Sequence, residues 1–441
     1  MKRLIDFHLQ NWKNDPDRKS LLLRGARQVG KTYSCRELGE SFENFVEINF
    51  EINPQLAEIF NRDLDPQRII RDLGLLTAKN IVPGKTLLFF DEIQEAPKAV
   101  KSLRYFHELL PELHVIAAGS LLDFVLENIG IPVGRVASLY MYPMSFLEYL
   151  AAQDNQAIVE LILRHDPAEP LSKPIHDKLL ALLGEYLAVG GMPEVIQTWI
   201  SRKDLRKCET IQTLLVDAYR QDFSKYCKKF QVKYVDLIFD EIPRWFGKKF
   251  RFSKMPGNWR KRELAPAFEL LKKASVAHEV RHTSSNGLPL GGEANPNRFK
   301  VIFLDIGLAQ SILGLDLAEW ILKPDAAIVN RGILTEAFVG QEILAYSSPQ
   351  KRGALFYWHR EAHASNAEVD YMLAQGQDIV PVEVKSGATG TLRSLHIFLK
   401  EKSSVSPYGI RFSGHNFSVF QKIHSYPLYA VANLFRDGLR L

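Results

Sequence analysis

Cysteine is scarce in this chain of 441 residues: there are three, Cys35, Cys208 and Cys227. The number is odd and the spacing matches no metal site, which excludes a disulfide-built scaffold and fits reduced thiols in a cytoplasm. Also missing is any uncharged apolar run of about 20 residues, the length that spans a bilayer. The start, Met1-Lys2-Arg3-Leu4-Ile5-Asp6, lacks the apolar block of a secretion signal. We therefore expect a cytoplasmic protein with no membrane partner. No internal repeat and no low-complexity segment is present. Neither sign of charge dominates, with 56 Lys and Arg against 51 Asp and Glu for a net +5. What is there is apolar residues, 46% of the chain, over a length sufficient for about three domains.

The most informative stretch is Gly25-Ala26-Arg27-Gln28-Val29-Gly30-Lys31-Thr32, directly after the apolar run Leu21-Leu22-Leu23. A strand enters a glycine-bent loop and leaves as a helix. Gly25 and Gly30 take backbone angles that a side chain would resist, so successive N–H groups turn inward onto phosphate oxygens. Lys31 is placed to neutralise the outer phosphates and the Thr32 hydroxyl to ligate Mg²⁺ at the start of the helix.

A second apolar run, Thr86-Leu87-Leu88-Phe89-Phe90, reads as a strand buried on both faces in a parallel sheet and ends on Asp91-Glu92. Ligands of open α/β sheets collect at that end. Asp91 is expected to hold a water of the Mg²⁺ shell and Glu92 to orient or deprotonate the attacking water, so the pair points to hydrolysis. A third run, Leu113 to Gly119, ends on Ser120, whose hydroxyl can reach a γ-phosphate from a strand lying between the cradle and the acid pair. Arg135 follows on a loop, as either a solvated surface residue or a charge that offsets a phosphate transition state.

These residues make the chain resemble the bacterial and archaeal AAA-type ATPases that carry a C-terminal domain of unknown function with a restriction-endonuclease-like fold. The resemblance covers nearly the whole length. It rests on the cradle, Phe89 to Gln94, Ala118-Gly119-Ser120, Gly134-Arg135 with Tyr142-Pro143-Met144-Ser145-Phe146, Tyr186 to Pro193, Phe303 to Leu308, Glu368-Val369-Asp370 and Glu383-Val384-Lys385. It implies ATP with Mg²⁺ as cofactors, Ser120 in the first sensor position, and Arg135 where an arginine finger is sought. A finger acting in a neighbouring subunit requires a homo-oligomer. The resemblance also implies that residues 146–205 form a helical lid and connector after an ATPase domain of residues 1–145.

Residues 201 to 300 hold 22 Lys and Arg against 11 Asp and Glu. Cations alternate with aromatics at Lys225 to Lys229, Lys248-Lys249-Phe250-Arg251 and Trp259-Arg260-Lys261-Arg262, as on nucleic-acid surfaces. Solvated helix faces or an acidic protein partner are the alternatives. Short helices punctuated by Pro243, Pro256-Gly257 and Pro266, then a strand pair around Ser284-Ser285-Asn286-Gly287, predict a winged helix-turn-helix over residues 206–300, with the helix from about Arg260 to Lys273 directed at a major groove.

Residues 301–441 form the last expected domain. Ala367 to Leu373 and Ile379 to Lys385 read as a hairpin joined by Gln375 to Asp378. Asp370 and Glu383 would converge on Mg²⁺, with Lys385 on the face of Glu383 to orient water. Glu336, on a helix upstream, completes the set that the resemblance implies. A surface salt bridge is the ordinary explanation of Glu-x-Lys on a strand. The expected fold is thus α/β: a P-loop NTPase sheet with helical lid, a winged-helix module and a restriction-endonuclease-like domain. The expected function is ATP hydrolysis coupled to DNA binding, with Mg²⁺-dependent cleavage by the last domain. The alternatives are a non-cleaving ATP-dependent switch whose last domain binds nucleic acid or a partner protein, and a nucleotide-gated regulator using only its winged helix.

Overall fold

The computed structural model describes all residues except 121, 124, 125, 127–133, 228, 361–365 and 386–391. Lys228 of the first basic cluster therefore lies outside the described residues. Five strands, β1 (Ser20–Arg24), β2 (Asn44–Asn49), β3 (Thr86–Asp91), β4 (His114–Gly119) and β5 (Val136–Tyr140), form a parallel sheet in the order β2-β3-β4-β1-β5. Both central strands β3 and β4 are buried along their whole length. This is why they read as unbroken apolar runs rather than alternating ones. Leu21, Leu23, Leu87, Phe89, Ile116 and Ala118 pack on one face, and Leu22, Leu88, Phe90, Val115 and Ala117 on the other. β4 lies between β1 and β3, so Arg24, Asn49, Asp91 and Gly119 end together along one edge.

Helices follow: Phe146–Ala152, Gln156–Arg164, Lys173–Val189, Pro193–Arg202, Leu205–Tyr226 and Lys229–Glu241. The segment expected as a lid packs largely against the C-terminal third of the chain. Phe146 N–H donates to the buried Glu342 carboxylate at 3.1 Å, Gly191 N–H to Asp305 at 2.6 Å, and Asn433 Nδ2 to Ile162 O at 2.8 Å. Burial pushes the Asp305 carboxyl up to about 6 and that of Glu342 up to about 8. Both are held by buried backbone donors, as buried acids require.

The third helix of the basic region is Lys261–Lys273, with Glu263 Oε2 accepting from the Arg260 N–H at 2.8 Å. It runs through Pro266, as the helix expected from about Arg260 to Lys273 does, so that proline does not separate two helices. Leu264, Ala267, Phe268 and Leu271 are buried on one side, and that burial offsets the one backbone bond a proline removes. The expected hairpin follows as β6 (Ala277–Thr283) and β7 (Ala294–Phe303), antiparallel. It is not a free wing, because the other edge of β6 pairs in parallel with β8 (Leu355–Arg360), and β9 (Ala367–Val369) closes a sheet ordered β7-β6-β8-β9. A third sheet, β10 (Tyr371–Gln375), β11 (Asp378–Val384), β12 (Gly409–Ser413), β13 (Ser418–Phe420) and β14 (Ile423–Pro427), runs β10-β11-β12-β14-β13. Between β9 and β10 stands Asp370 alone, at the seam of the two sheets. Among the described residues no helix is long and apolar enough to cross a membrane.

Candidate functional site

Where β1 ends, the chain bends through Gly25 at φ 151° and Gly30 at φ 102° before the helix Lys31–Gly39. A Cβ on Gly25 would stand 2.2 Å from the Met141 carbonyl oxygen, and one on Gly30 3.1 Å from Arg3 Nη1. At these two positions the backbone favours glycine. Lys31 is buried at its end, with Nζ donating to the carbonyls of Gly25 at 2.9 Å and Ala26 at 2.7 Å. Desolvation lowers its pKa to about 8, against a partial counter-pull from Glu92 and Asp91. The ammonium thus sits inside an anion-shaped loop with only neutral acceptors.

On the adjoining edge, Thr32 Oγ1 donates to Asp91 Oδ2 at 3.1 Å, and Asn49 Nδ2 reaches the same oxygen at 3.2 Å. Burial, then the neighbouring Glu92 charge, raises the Asp91 pKa. Thr32 and Asp91 are hard oxygen donors of the kind Mg²⁺ takes, so the residues present fit that ion. Glu92 adopts φ 49°, a left-handed conformation that costs a non-glycine residue roughly 1–2 kcal/mol. It is held there by its own N–H on Asp91 Oδ1 at 3.1 Å and by Gln94 Nε2 donating to its carboxylate. The Gln94 Oε1 is buried and, among the described residues, has no hydrogen-bond partner. Ser120 is buried at the end of β4, between the loop and Asp91.

Arg135 is not in this group. It precedes β5, whose first residue Val136 pairs with Ser20 at the start of β1, and its Nε meets Glu108 at 3.0 Å. That places it the length of a strand, about 15 Å, from its own loop.

Three residues around the loop have no local sequence signal. Arg3 is buried, with Nη1 on Val29 O at 2.6 Å, Nη2 on Tyr142 O at 2.8 Å and Nε on Glu148 at 2.8 Å. It ties the N-terminal segment to the loop. From the helix Leu205–Tyr226, Tyr219 OH donates to Arg27 O at 2.5 Å and Asp222 pairs with the Arg27 guanidinium. Lys225, counted in the basic cluster, reaches Glu51 at 3.3 Å. Part of the basic excess is therefore spent between domains.

The other cations of that region are distributed unevenly. Arg260, Lys261 and Arg262 are exposed at the start of their helix, and Lys233 lies 5.2 Å from the Trp259 ring centroid.

In the C-terminal third, the structure brings Asp370, Glu383 and Lys385 together with Glu336 of the helix Gly332–Tyr346. β10 and β11 pair antiparallel, Val384 N–H donates to Asp370 Oδ2 at 2.9 Å, and Lys385 Nζ meets Glu383 at 2.6 Å. Sequence reasoning missed the centre. Lys300, buried on β7, directs Nζ at Glu368 (2.6 Å), Glu336 (3.1 Å) and Asp370 (3.6 Å). Burial followed by the Asp370 charge raises Glu336 to about 7 and Glu383 to about 8. Burial opposes the Lys300 ammonium, but the three carboxylates outweigh it and hold its pKa well above the ordinary value. Of the two donors expected for a second Mg²⁺, Asp370 thus faces Lys300, while Glu383 is paired with Lys385. Among the described residues no group of three or more His, Cys, Asp or Glu is arranged to hold a metal ion.

Comparison with known proteins matches three separate stretches of the chain. Residues 17–150 match the family model described as an AAA domain. Residues 180–319 and 331–431 match two domains of unknown function, DUF8612 and DUF4143. No curated protein matches the chain. Among solved structures it is similar to a Walker-type ATPase of Pyrococcus abyssi, with 16% identity, a TM-score of 0.43, and coverage of 70% of this chain and 94% of that one. The AAA-domain match, the five-stranded parallel sheet and the glycine-bent loop together support a P-loop ATPase fold for residues 17–150.

Proposed function

We propose that the chain binds and hydrolyses ATP at the loop Gly25–Thr32, and that nucleotide turnover alters how its basic and C-terminal parts hold nucleic acid. The contact between Thr32 and Asp91, beside a buried Lys31 bonded only to loop carbonyls, carries this reading. Lys31 exchanges those carbonyls for phosphate oxygens. Thr32 and Asp91 would hold Mg²⁺, which when bound offsets charge on the phosphates. Glu92, turned out of the strand by its left-handed backbone, orients and takes a proton from the attacking water. Ser120 senses the outer phosphate from β4. Arg135 is too distant to act on its own loop, so an arginine-finger role requires a neighbouring copy of the chain.

Coupling to the rest of the molecule runs through Arg27. That residue belongs to the phosphate loop and also pairs with Asp222 and Tyr219 on the helix Leu205–Tyr226. A phosphate drawn to the loop competes with Asp222 for the guanidinium. The test is calorimetric: Lys31→Ala should lose ATP binding, and retained affinity would remove the assignment.

For the C-terminal domain, whose helix, hairpin and acids suggest an endonuclease-like fold, Lys300 favours the non-cleaving reading. An ammonium already faces Glu336, Glu368 and Asp370, and a second one pairs with Glu383, which supports a cluster that closes on its own cations. Incubation with Mg²⁺ or Mn²⁺ and single-stranded, duplex or branched DNA should leave the DNA intact. Cleavage by the wild type that disappears in Asp370→Ala would restore the nuclease reading.

A further inference from the structure

A cavity of about 640 Å³ lies where the helix Leu4–Asn14 and the end of β5 meet the C-terminal third of the chain. Small-molecule sites occupy roughly 300–1,000 Å³ and favour such seams between domains. The ATP chemistry proposed above does not use this space.

Its walls are largely aromatic. Tyr140 and Tyr142 line it from the amino-terminal side, and Tyr408 and Phe435 from the carboxy-terminal side. All four are half-buried, so each keeps surface that the rest of the protein does not cover. Such surfaces take a flat ring by stacked or edge contact.

The polar groups of the lining stand at separate places. Asn433 is 4% exposed and spends its Nδ2 on Ile162 O at 2.8 Å and His165 O at 3.1 Å, which leaves Oδ1 without a hydrogen bond among the described residues. It can accept from a hydroxyl or amino group on a ligand. Arg436 and Arg440 are exposed, and neither forms an ion pair among the described residues. Arg440 Nη1 donates to a backbone carbonyl, that of Leu439, at 2.7 Å. Two acids also line the cavity. Glu148 is already engaged by Arg3 Nε at 2.8 Å and by the Leu4 N–H at 2.7 Å. Asp437 alone faces the two arginines in the charge balance, and burial keeps His8 towards its neutral form, so the lining stays net positive.

We propose that this cavity is a regulatory site for a small aromatic anion, with the ring between the aromatic walls, the negative group on Arg436 and Arg440, and occupancy communicated to the phosphate loop through Arg3. Arg3 lines the cavity and also donates to Val29 O in the loop at 2.6 Å. A ligand that moves Arg3 therefore moves a carbonyl of the loop. The coupling rests on the ATP reading above, whereas the site itself does not.

The test is a fluorescence titration of the full chain with anilinonaphthalene sulfonate, an aromatic anion whose emission rises in apolar surroundings. Arg436→Glu with Arg440→Glu should weaken binding by about tenfold or more, because charge-assisted hydrogen bonds are lost. Ala374→Trp, at an exposed position of the lining, should weaken it as much by filling the space. An unchanged unfolding temperature certifies the fold of each variant. In the wild type, saturating dye should change the dissociation constant of ATP by about fivefold or more, and ATP should change that of the dye by the same factor, as linkage requires. Absence of dye binding, or binding that neither variant weakens, would overturn the site. Binding that both variants weaken, with no mutual effect of dye and ATP, would overturn the regulatory role. A wild type that binds the dye in this cavity but no ATP would overturn the coupling together with the ATP reading and leave the site standing.

Discussion

Binding of ATP should draw a proton onto Lys31. In the free protein, burial holds its pKa at about 8 against an ordinary 10.5, so at pH 8 half of the molecules carry an uncharged amine. A triphosphate restores a counter-charge and returns the pKa towards its ordinary value. The charged lysine is the binding form. Binding therefore takes up about half a proton at pH 8, about nine tenths at pH 9 and close to none at pH 6.5. The sign follows: affinity is flat in the acid range and falls as pH rises through 8, by up to about tenfold per pH unit, until the bound-state pKa is reached. The full displacement corresponds to about 3 kcal/mol of phosphate binding that re-protonation consumes at high pH. Titration calorimetry at pH 8 in two buffers of different ionisation enthalpy measures the uptake directly. Identical heats in both buffers, with an affinity that does not change between pH 7 and 9, would refute the argument.

Arg3→Ala removes the one side chain that joins Val29, Tyr142 and Glu148. It should cost about 3–5 kcal/mol of stability in urea titration, because Glu148 is left buried without its cation, and weaken ATP binding with it; a loss under 1 kcal/mol would show that the tie is dispensable. In the wild type, hydrogen exchange of the helix Leu205–Tyr226 should change when ATP is added, and Asp222→Ala should abolish that change; persistence of the effect would place the coupling elsewhere. Glu383 holds its carboxyl proton up to about 8 when folded against 4.5 ordinarily, so it contributes stability at low pH that is lost as pH rises from about 5 through 8, at up to about 1.4 kcal/mol per pH unit. Glu383→Gln, which keeps the shape of the protonated acid, should flatten that part of the stability–pH curve, and superimposable curves would count against the raised value.

Much of the amino-terminal unit was legible because its signals are local. A buried parallel strand leaves a run of apolar residues, and a phosphate loop leaves its glycines, lysine and threonine within eight positions. The hairpin of β10 and β11 that carries Glu383 was legible for the same reason, its turn and alternation lying within a short window, whereas the strand expected over Ala367 to Leu373 is interrupted at Asp370. What escaped was long-range. Asn49 reaches Asp91 across neighbouring strands, Arg3 meets Glu148 from the other end of the domain, and Tyr219 and Asp222 approach Arg27 from a helix nearly two hundred positions away. Strand pairing is equally silent. β6 and β7 were expected as a wing, but nothing within residues 206–300 says that β8, some 70 residues on, takes the other edge of β6. Lys300 stood at the boundary drawn between two expected domains and was counted with the basic surface, although it is buried beneath the acids. One family model, matched over residues 180–319, likewise runs across the boundaries drawn at 205 and 300.

The central claim is that the loop, Asp91 and Glu92 form an ATP-hydrolysing centre, and the most direct measurement is phosphate release paired with nucleotide binding in Glu92→Gln. The account predicts that the wild type releases phosphate from ATP in the presence of Mg²⁺, whereas the variant binds ATP as tightly and releases at least about a hundredfold less, the usual contribution of a positioned general base. Equal turnover by the two proteins, or none by the wild type, would contradict it.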